Sequence, residues 1–310
     1  MAYSACPRAA EGATGNREIP PEVQKLLKTY EYDHAAPLNA ETELEREMGG
    51  YTAYRLAFDS TNGERVPALL YLPAKGEAPF PCVIMQHGYN GDKSMGGMFA
   101  GYLAPMGYAL ISIDAQYHGE RREEGKDMFS TDMESDVRGL HQTVTDLSRA
   151  IDYLESRGDI DPARIGYVGV SMGSFIGGVF AGVDDRVRTA ILIVGGGDWE
   201  VFLNTSEVGA VARIREFCGQ EAACIADFAA GMAAVEMKSF VGLMPPRPLL
   251  MINCENDKFV PKATGEAMFA AAGEPKEIRW YTCAGDIAHF PPIGESMSLM
   301  KKWFRKFLAE

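Results

Sequence analysis

The stretch Arg164-Ile165-Gly166-Tyr167-Val168-Gly169-Val170-Ser171-Met172-Gly173 carries the strongest local signal in the chain. Residues 164–170 (RIGYVGV) are mainly β-branched, aromatic and glycine residues and read as a buried strand. Residues 172–182 are small and apolar and read as a helix. Between them stands Ser171, with Gly169 before it and Gly173 after it at equal spacing. A serine on a sharp strand-to-helix turn needs small neighbours at these two places, because only then can the backbone fold tightly and expose the hydroxyl. GxSxG alone is short enough to occur by chance. With a strand before it and a helix after it, the motif marks Ser171 as a nucleophile.

The same alternation extends on both sides. Residues 81–86 (PCVIMQ), 108–114 (YALISID), 187–194, 248–253 (PLLMIN) and 277–283 read as strands. Residues 132–156 form one long helix, with Met133, Val137, Leu140, Val144, Leu147, Ile151 and Leu154 on one apolar stripe. Residues 262–272 and 297–308 read as further helices. Apolar strands alternating with helices imply a mostly parallel central sheet covered by helices on both faces. Upstream, residues 51–58 and 66–72 flank the turn Asp59-Ser60-Thr61-Asn62-Gly63 and read as an antiparallel hairpin. Residues 21–30 and 40–48 read as short N-terminal helices, and residues 1–19 as a small, polar tail. Over fifty residues separate the strands at 187–194 and 248–253. Helical stretches at 200–203, 208–217 and 222–229 make residues 195–244 an inserted helical cap, or lid, over one end of the sheet.

The chain has 310 residues, and at roughly 150 residues per domain that suggests about two domains. The strand order favours one domain instead, residues 50–310, with a short preface at 1–49 and the inserted cap. The apolar fraction of 46% and the charged fraction of 24% fit a soluble globular protein and not a disordered one. Thirty basic against 43 acidic residues give a net charge of −13. Nucleic acid and anionic membranes need clustered Lys and Arg, so both are disfavoured as partners. No basic start with an apolar run opens the chain, and no run reaches the ~18 apolar residues of a membrane span. Six scattered cysteines without a CxxC point to the cytoplasm as the default compartment, though a mature secreted form fits as well. Cys82, Cys254 and Cys283 sit in or beside strands and read as buried thiols. Cys218 and Cys224 can pair or bind a metal, but no accompanying pair of histidines supports a metal.

A serine nucleophile needs a base. Of five histidines, His34 lies in the preface, His141 on the rim of the long helix, and His87, His118 and His289 follow strands. Loops after parallel strands gather at one edge of the sheet, the edge where Ser171 stands. His289, after the last strand, is the candidate base, with His87 and His118 behind it. The imidazole in turn needs a carboxylate to hold its tautomer. Asp257, in the loop after the strand at 248–253, is the candidate, with Glu255 and Asp286 as alternatives. An oxyanion needs two fixed N–H donors. Met172, next to the nucleophile, supplies one; Tyr89, in His87-Gly88-Tyr89-Asn90-Gly91, supplies the other.

HGYNG (87–91), GVSMG (169–173), DKFVP (257–261) and AHF (288–290) in this order make the chain resemble the α/β-hydrolase superfamily over residues 50–310. Within it, the chain resembles the dienelactone-hydrolase, acetyl-xylan-esterase and prolyl-oligopeptidase-like groups. The resemblance implies the α/β-hydrolase fold, hydrolysis through an acyl-enzyme, a lid built from insertions, and no cofactor or metal. It departs from the acetyl-xylan and cephalosporin-C deacetylases at RGQ, GxSQGG and HE. Here those places read Asp114-Ala115-Gln116-Tyr117-His118-Gly119, GVSMGS and His289-Phe290. Asp114 is expected to brace the loops, and Gln116 or Tyr117 to line the pocket mouth. Trp199 and Phe202 either wall an acyl pocket or pack in the core.

The first reading is therefore a serine carboxylesterase for a small or medium soluble ester. Deacetylation of sugars, lactone or thioester hydrolysis and a small prolyl-oligopeptidase-like peptidase use the same triad and stand as alternatives. A hydrolase-fold ligand receptor is the non-enzymatic one. A homo-oligomer is compatible with the sequence.

Overall fold

The computed structural model describes residues 19–308; most of the expected tail lies outside them. Among the described residues, nine strands form one sheet: β1 (Glu41–Glu47), β2 (Tyr51–Asp59), β3 (Arg65–Pro73), β4 (Phe80–Gln86), β5 (Ala109–Ile113), β6 (Ile160–Val170), β7 (Val187–Ile193), β8 (Leu249–Cys254) and β9 (Lys276–Tyr281). Their spatial order is β1-β2-β3-β5-β4-β6-β7-β8-β9. β1, β2, β3 and β5 pair antiparallel in turn, and the strands from β5 to β9 run parallel.

The buried strands divide their side chains between two cores. Cys82 and Ile84 of β4 face one, Val83 and Met85 the other. Over the first face pack α3 (Met133–Glu155) and α4 (Met172–Val183), and Met268 of α9 (Lys262–Ala271) joins them. Over the second lie α2 (Gly96–Leu103) and α10 (Ile293–Phe307). α3 is capped by the Asp132 side chain, which accepts the Ser135 N–H. α10 is pinned to the sheet by Trp303 Nε1, which donates to Thr189 Oγ1 at 2.8 Å. The expected parallel sheet with helices on both faces is the observed architecture.

Residues 21–30 form α1 (Pro21–Leu27) and a 3-10 turn, but residues 40–48 are not a helix. They hold β1, which pairs antiparallel with β2 at the sheet edge. Its residues (ETELERE) are all exposed, so no apolar alternation announces a strand. The pairing edge of β2 overrides the helix preference of Glu, Leu and Arg, and the charges suit an open edge.

Between β7 and β8 run four helices: α5 (Trp199–Thr205), α6 (Gly209–Phe217), α7 (Ala222–Gly231) and α8 (Met237–Val241). The last was not legible as a helix. Trp199 and Phe202 pack against Phe175 of α4, with ring centroids 5.6 and 5.0 Å apart. Cys82 is a buried free thiol, as expected. Cys254 and Cys283 are not thiols: they form a disulfide, as do Cys218 and Cys224. β8 and β9 are parallel neighbours, so their ends bring Cys254 and Cys283 together, with Cα atoms 5.6 Å apart.

Candidate active site

The carboxyl ends of the parallel strands collect the chemistry at one edge. His87 follows β4, Asp114 follows β5, Ser171 follows β6, Asp257 follows β8 and His289 follows β9. Ser171 has φ 54° and ψ −116°, a conformation outside the ordinary regions for a side-chain-bearing residue. Its N–H is held by Ile193 O at 2.9 Å, and its carbonyl accepts the N–H of Ser174 at 2.7 Å. A Cβ on Gly169 would lie 2.2 Å from Gly173 O, and one on Gly173 would lie 2.3 Å from Gln86 O. Both glycines are therefore required by backbone contact, which is the mechanical basis of the motif.

His289 reaches this turn from the loop after β9. Its Nε2 lies 3.0 Å from Ser171 Oγ, and its Nδ1 lies 2.7 Å from Asp257 Oδ2. The carboxylate accepts Nδ1–H, which leaves Nε2 as acceptor for the serine hydroxyl. Asp257 Oδ1 accepts the N–H groups of Phe259 at 2.8 Å and Val260 at 3.0 Å. Asp257 and His289 are both buried. The rings of Phe259 and Phe290 flank the imidazole, with centroids 5.4 and 5.3 Å away. Glu255 and Asp286, the alternative acids, are exposed, and Glu255 pairs with Lys262 at 3.5 Å. The carboxylate that meets His289 is Asp257.

The loop after β4 passes close to Ser171. A Cβ on Gly88 would sit 3.2 Å from Val170 O and 3.3 Å from Ser171 Cβ. The Tyr89 N–H donates to no acceptor among the described residues. Met172 opens α4, and the first N–H groups of a helix have no intrahelical acceptor. The Tyr89 hydroxyl is turned away and donates to Asp127 Oδ2 at 2.5 Å.

His87 is a brace. Its Nδ1–H donates to Gly88 O at 2.8 Å, and its Nε2 accepts the Ala115 N–H at 3.1 Å. Burial pushes its pKa down to about 4, so it stays neutral. His118 packs at a tilt against His87 and edge-on against Tyr89, and burial lowers its pKa as well. Asp114 braces the loops as expected: it accepts the Lys93 and Glu120 N–H groups at 2.8 and 2.9 Å and pairs with Lys93 Nζ at 2.7 Å.

Gln116 does not line a pocket mouth. It is buried and bonded to Arg121, which also pairs with Asp146 and Glu64. Tyr117 is half-buried and packs over Gly139 of α3, its hydroxyl 3.3 Å from Ser135 Oγ. Trp199 and Phe202 are fully buried in an aromatic cluster with Phe129 and Phe175, which is core packing. Lys93, Arg121, Asn256 and the Cys254–Cys283 pair escaped the sequence reading. Their partners are distant in the chain, and nothing local marks them.

The acetyl xylan esterase (AXE1) family model matches residues 28–195, just over half of the chain. YtaP of Bacillus subtilis is 26% identical over 289 residues, covering 86% of this chain and 93% of that protein. The esterase FrsA of Yersinia enterocolitica is 25% identical over 234 residues, covering 73% of this chain and 53% of that protein. Among solved structures, the acetyl xylan esterase from Paenibacillus sp. R4 superposes with a TM-score of 0.76 at 19% identity, covering 93% and 92% of the two chains. Acetyl xylan esterase 1 from Thermoanaerobacterium sp. JW/SL YS485 gives 0.78 at 17% identity, covering 92% and 94%. These likenesses to solved structures establish the fold, and the family model the membership: the chain belongs to the acetyl xylan esterase family of α/β-hydrolases and is a carboxylester hydrolase.

Proposed function

We propose that Ser171, His289 and Asp257 hydrolyse a small or medium soluble ester through an acyl-enzyme. The observation that carries this is the relay Ser171 Oγ–His289 Nε2 at 3.0 Å and His289 Nδ1–Asp257 Oδ2 at 2.7 Å. Ser171 Oγ attacks the ester carbonyl while His289 takes its proton, and Asp257 stabilises the imidazolium. The amides of Tyr89 and Met172 hold the oxyanion. His289 then protonates the leaving alcohol and draws a proton from the water that cleaves the acyl-enzyme. These steps use side chains, two backbone amides and water. The helical segment 195–244 serves as the cap beside this edge.

The family match favours one second reading, removal of acetyl groups from sugars. Its motifs differ from the relatives' pattern at residues 114–119, which keeps it second. Turnover of p-nitrophenyl acetate and butyrate by wild type and Ser171→Ala tests the mechanism: equal rates from both would sink it. Acetylated xylo-oligosaccharides in the same assay separate the two substrate readings.

No helix among the described residues is long and apolar enough to cross a membrane. The sparse cysteines point to the cytoplasm, whereas two disulfides favour an oxidising compartment. We favour the latter, and alkylation of free thiols in unreduced protein tests it.

A further inference from the structure

Cys254 is the last residue of β8, and Cys283 lies just past the end of β9. Asp257 comes three residues after the first of these strand ends. His289 comes after the second, within residues 282–292, which contain no helix or strand. Much of that run is exposed, and Phe290 beside the histidine is 72% exposed. Cys283, Ala288, His289 and Pro291 are buried while the other residues of the segment are exposed, so packing fixes it only in part.

The rest of the fixing comes from a set of ties to the loop that carries the acid. Asn256 Nδ2 donates to Cys283 O at 2.9 Å, and the Cys283 N–H donates to Asn256 Oδ1 at 2.9 Å. The Lys258 N–H donates to Ile287 O at 3.0 Å. The Glu255 N–H donates to Tyr281 O at 2.8 Å. These are hydrogen bonds between loops at the surface, individually modest in net strength. The Cys254–Cys283 disulfide is the covalent tie among them, and it joins the two loops at their roots.

We propose that the Cys254–Cys283 cross-link is a positioning element for the esterase reaction: it holds the loops of Asp257 and His289 in one register and so sets the imidazole against Ser171. This rests on the triad reading above. Catalysis is steep in geometry, and a misplacement of about 1 Å costs on the order of 100-fold. Cutting the cross-link chemically takes a dithiol. One thiolate attacks a sulfur of the disulfide, the S–S bond breaks and a mixed disulfide forms; the second thiol then displaces the protein sulfur. Two electrons and two protons pass to Cys254 and Cys283, and the dithiol leaves as a cyclic disulfide. Both cysteines are buried, so the exchange waits on loop opening and the variants below test the idea without it.

The experiment uses the full chain in three forms: wild type, Cys254→Ser/Cys283→Ser, and Cys218→Ser/Cys224→Ser as the control for the other disulfide. kcat and KM with p-nitrophenyl acetate and the rate of fluorophosphonate labelling at Ser171 are read for each. Loss of the cross-link is expected to lower kcat and the labelling rate about 10- to 100-fold. KM stays within about twofold because substrate binding is not the affected step. The fall in kcat and the fall in labelling rate run in parallel, because both report how the imidazole is set against Ser171. Dithiothreitol lowers kcat of wild type and of the control in step with the thiols counted at 254 and 283, and reoxidation restores it. Cys254→Ser/Cys283→Ser does not respond.

A folded Cys254→Ser/Cys283→Ser with full kcat and an unchanged labelling rate overturns the proposal. So does fully active, unreduced wild type in which both cysteines alkylate. If that variant fails to fold, reduced wild type decides: full kcat, or unfolding of the whole chain without a folded low-kcat state, overturns the positioning role. The triad fails separately. Wild-type turnover by Ser171→Ala sinks the triad, whereas an inactive Ser171→Ala beside a fully active cross-link variant sinks the cross-link inference alone.

Discussion

Asp257 Oδ2 accepts the Nδ1–H of His289 at 2.7 Å while its other oxygen accepts two backbone N–H groups of its own loop. One carboxylate thus closes a turn and aims an imidazole. Asp257→Asn keeps the volume and removes the charge that holds the tautomer. The expected result is a kcat lower by about 10³- to 10⁴-fold with a small change in KM. Steady-state kinetics check it, and a parallel fall in fluorophosphonate labelling shows that the serine has lost its base.

Gly173 and Gly101 give opposite expectations for the same substitution. Gly173→Ala puts a methyl 2.3 Å from the backbone oxygen of Gln86, where neither partner can move. A loss of about 3 kcal/mol or more is expected. Gly101 lies in α2 with nothing within 4 Å of its Cβ position, so Gly101→Ala is expected to stabilise by up to about 1 kcal/mol. Urea midpoints of the two variants against wild type decide both.

Lys93 is the charge partner of Asp114, whose side chain is fully buried. Lys93→Met leaves that carboxylate with backbone N–H groups alone. Leaving a buried charge unpaired costs about 3–5 kcal/mol. Chemical denaturation of Lys93→Met measures the loss, and Lys93→Met/Asp114→Asn is expected to recover part of it.

His87 makes stability depend on acid pH. Its folded pKa is pushed down to about 4 by burial, with His118 opposing its charge and Asp114 and Asp92 favouring it. Against an unfolded value of about 6.5, the unfolded chain binds the proton first as pH falls. Stability is therefore present above about pH 6.5 and lost progressively toward pH 4, by up to about 3 kcal/mol. Asp136 works in the other sense: burial raises its pKa to about 7, so its contribution falls as pH rises toward that value. Both proteins carry Asp136, so the difference in unfolding free energy between wild type and His87→Asn isolates His87. That difference is expected to vary across pH 4–6.5 and to be flat above it.

Much of the molecule was legible because the needed signals are local. The apolar strand runs from β4 to β8 and the stripe on α3 each announce their element within a few residues. The turn at Ser171 was legible for the same reason: a backbone at φ 54° packed against β4 admits only glycine at 169 and 173. Asp257 and His289 followed from strand order, since consecutive parallel strands deliver their loops to one edge.

Other features answer only to neighbours far away in the chain. β1 has a helix-prone, fully exposed sequence and is a strand because β2 offers it an open edge. Gln116 follows the right strand for a pocket residue, yet Arg121 and its carboxylates draw it into a buried network. Cys254 and Cys283 look like two strand thiols until β8 and β9 are laid side by side. The parallel α/β sheet, the nucleophile turn and the order of the site loops were readable from the chain, because backbone sterics and apolar periodicity act between near neighbours; the likeness to the α/β-hydrolases rested on four short motifs in their order. Tertiary structure alone decided the edge strand, the polar braces and the cross-link between the acid and base loops, because each is a pairing between groups that only the folded sheet brings within bonding distance.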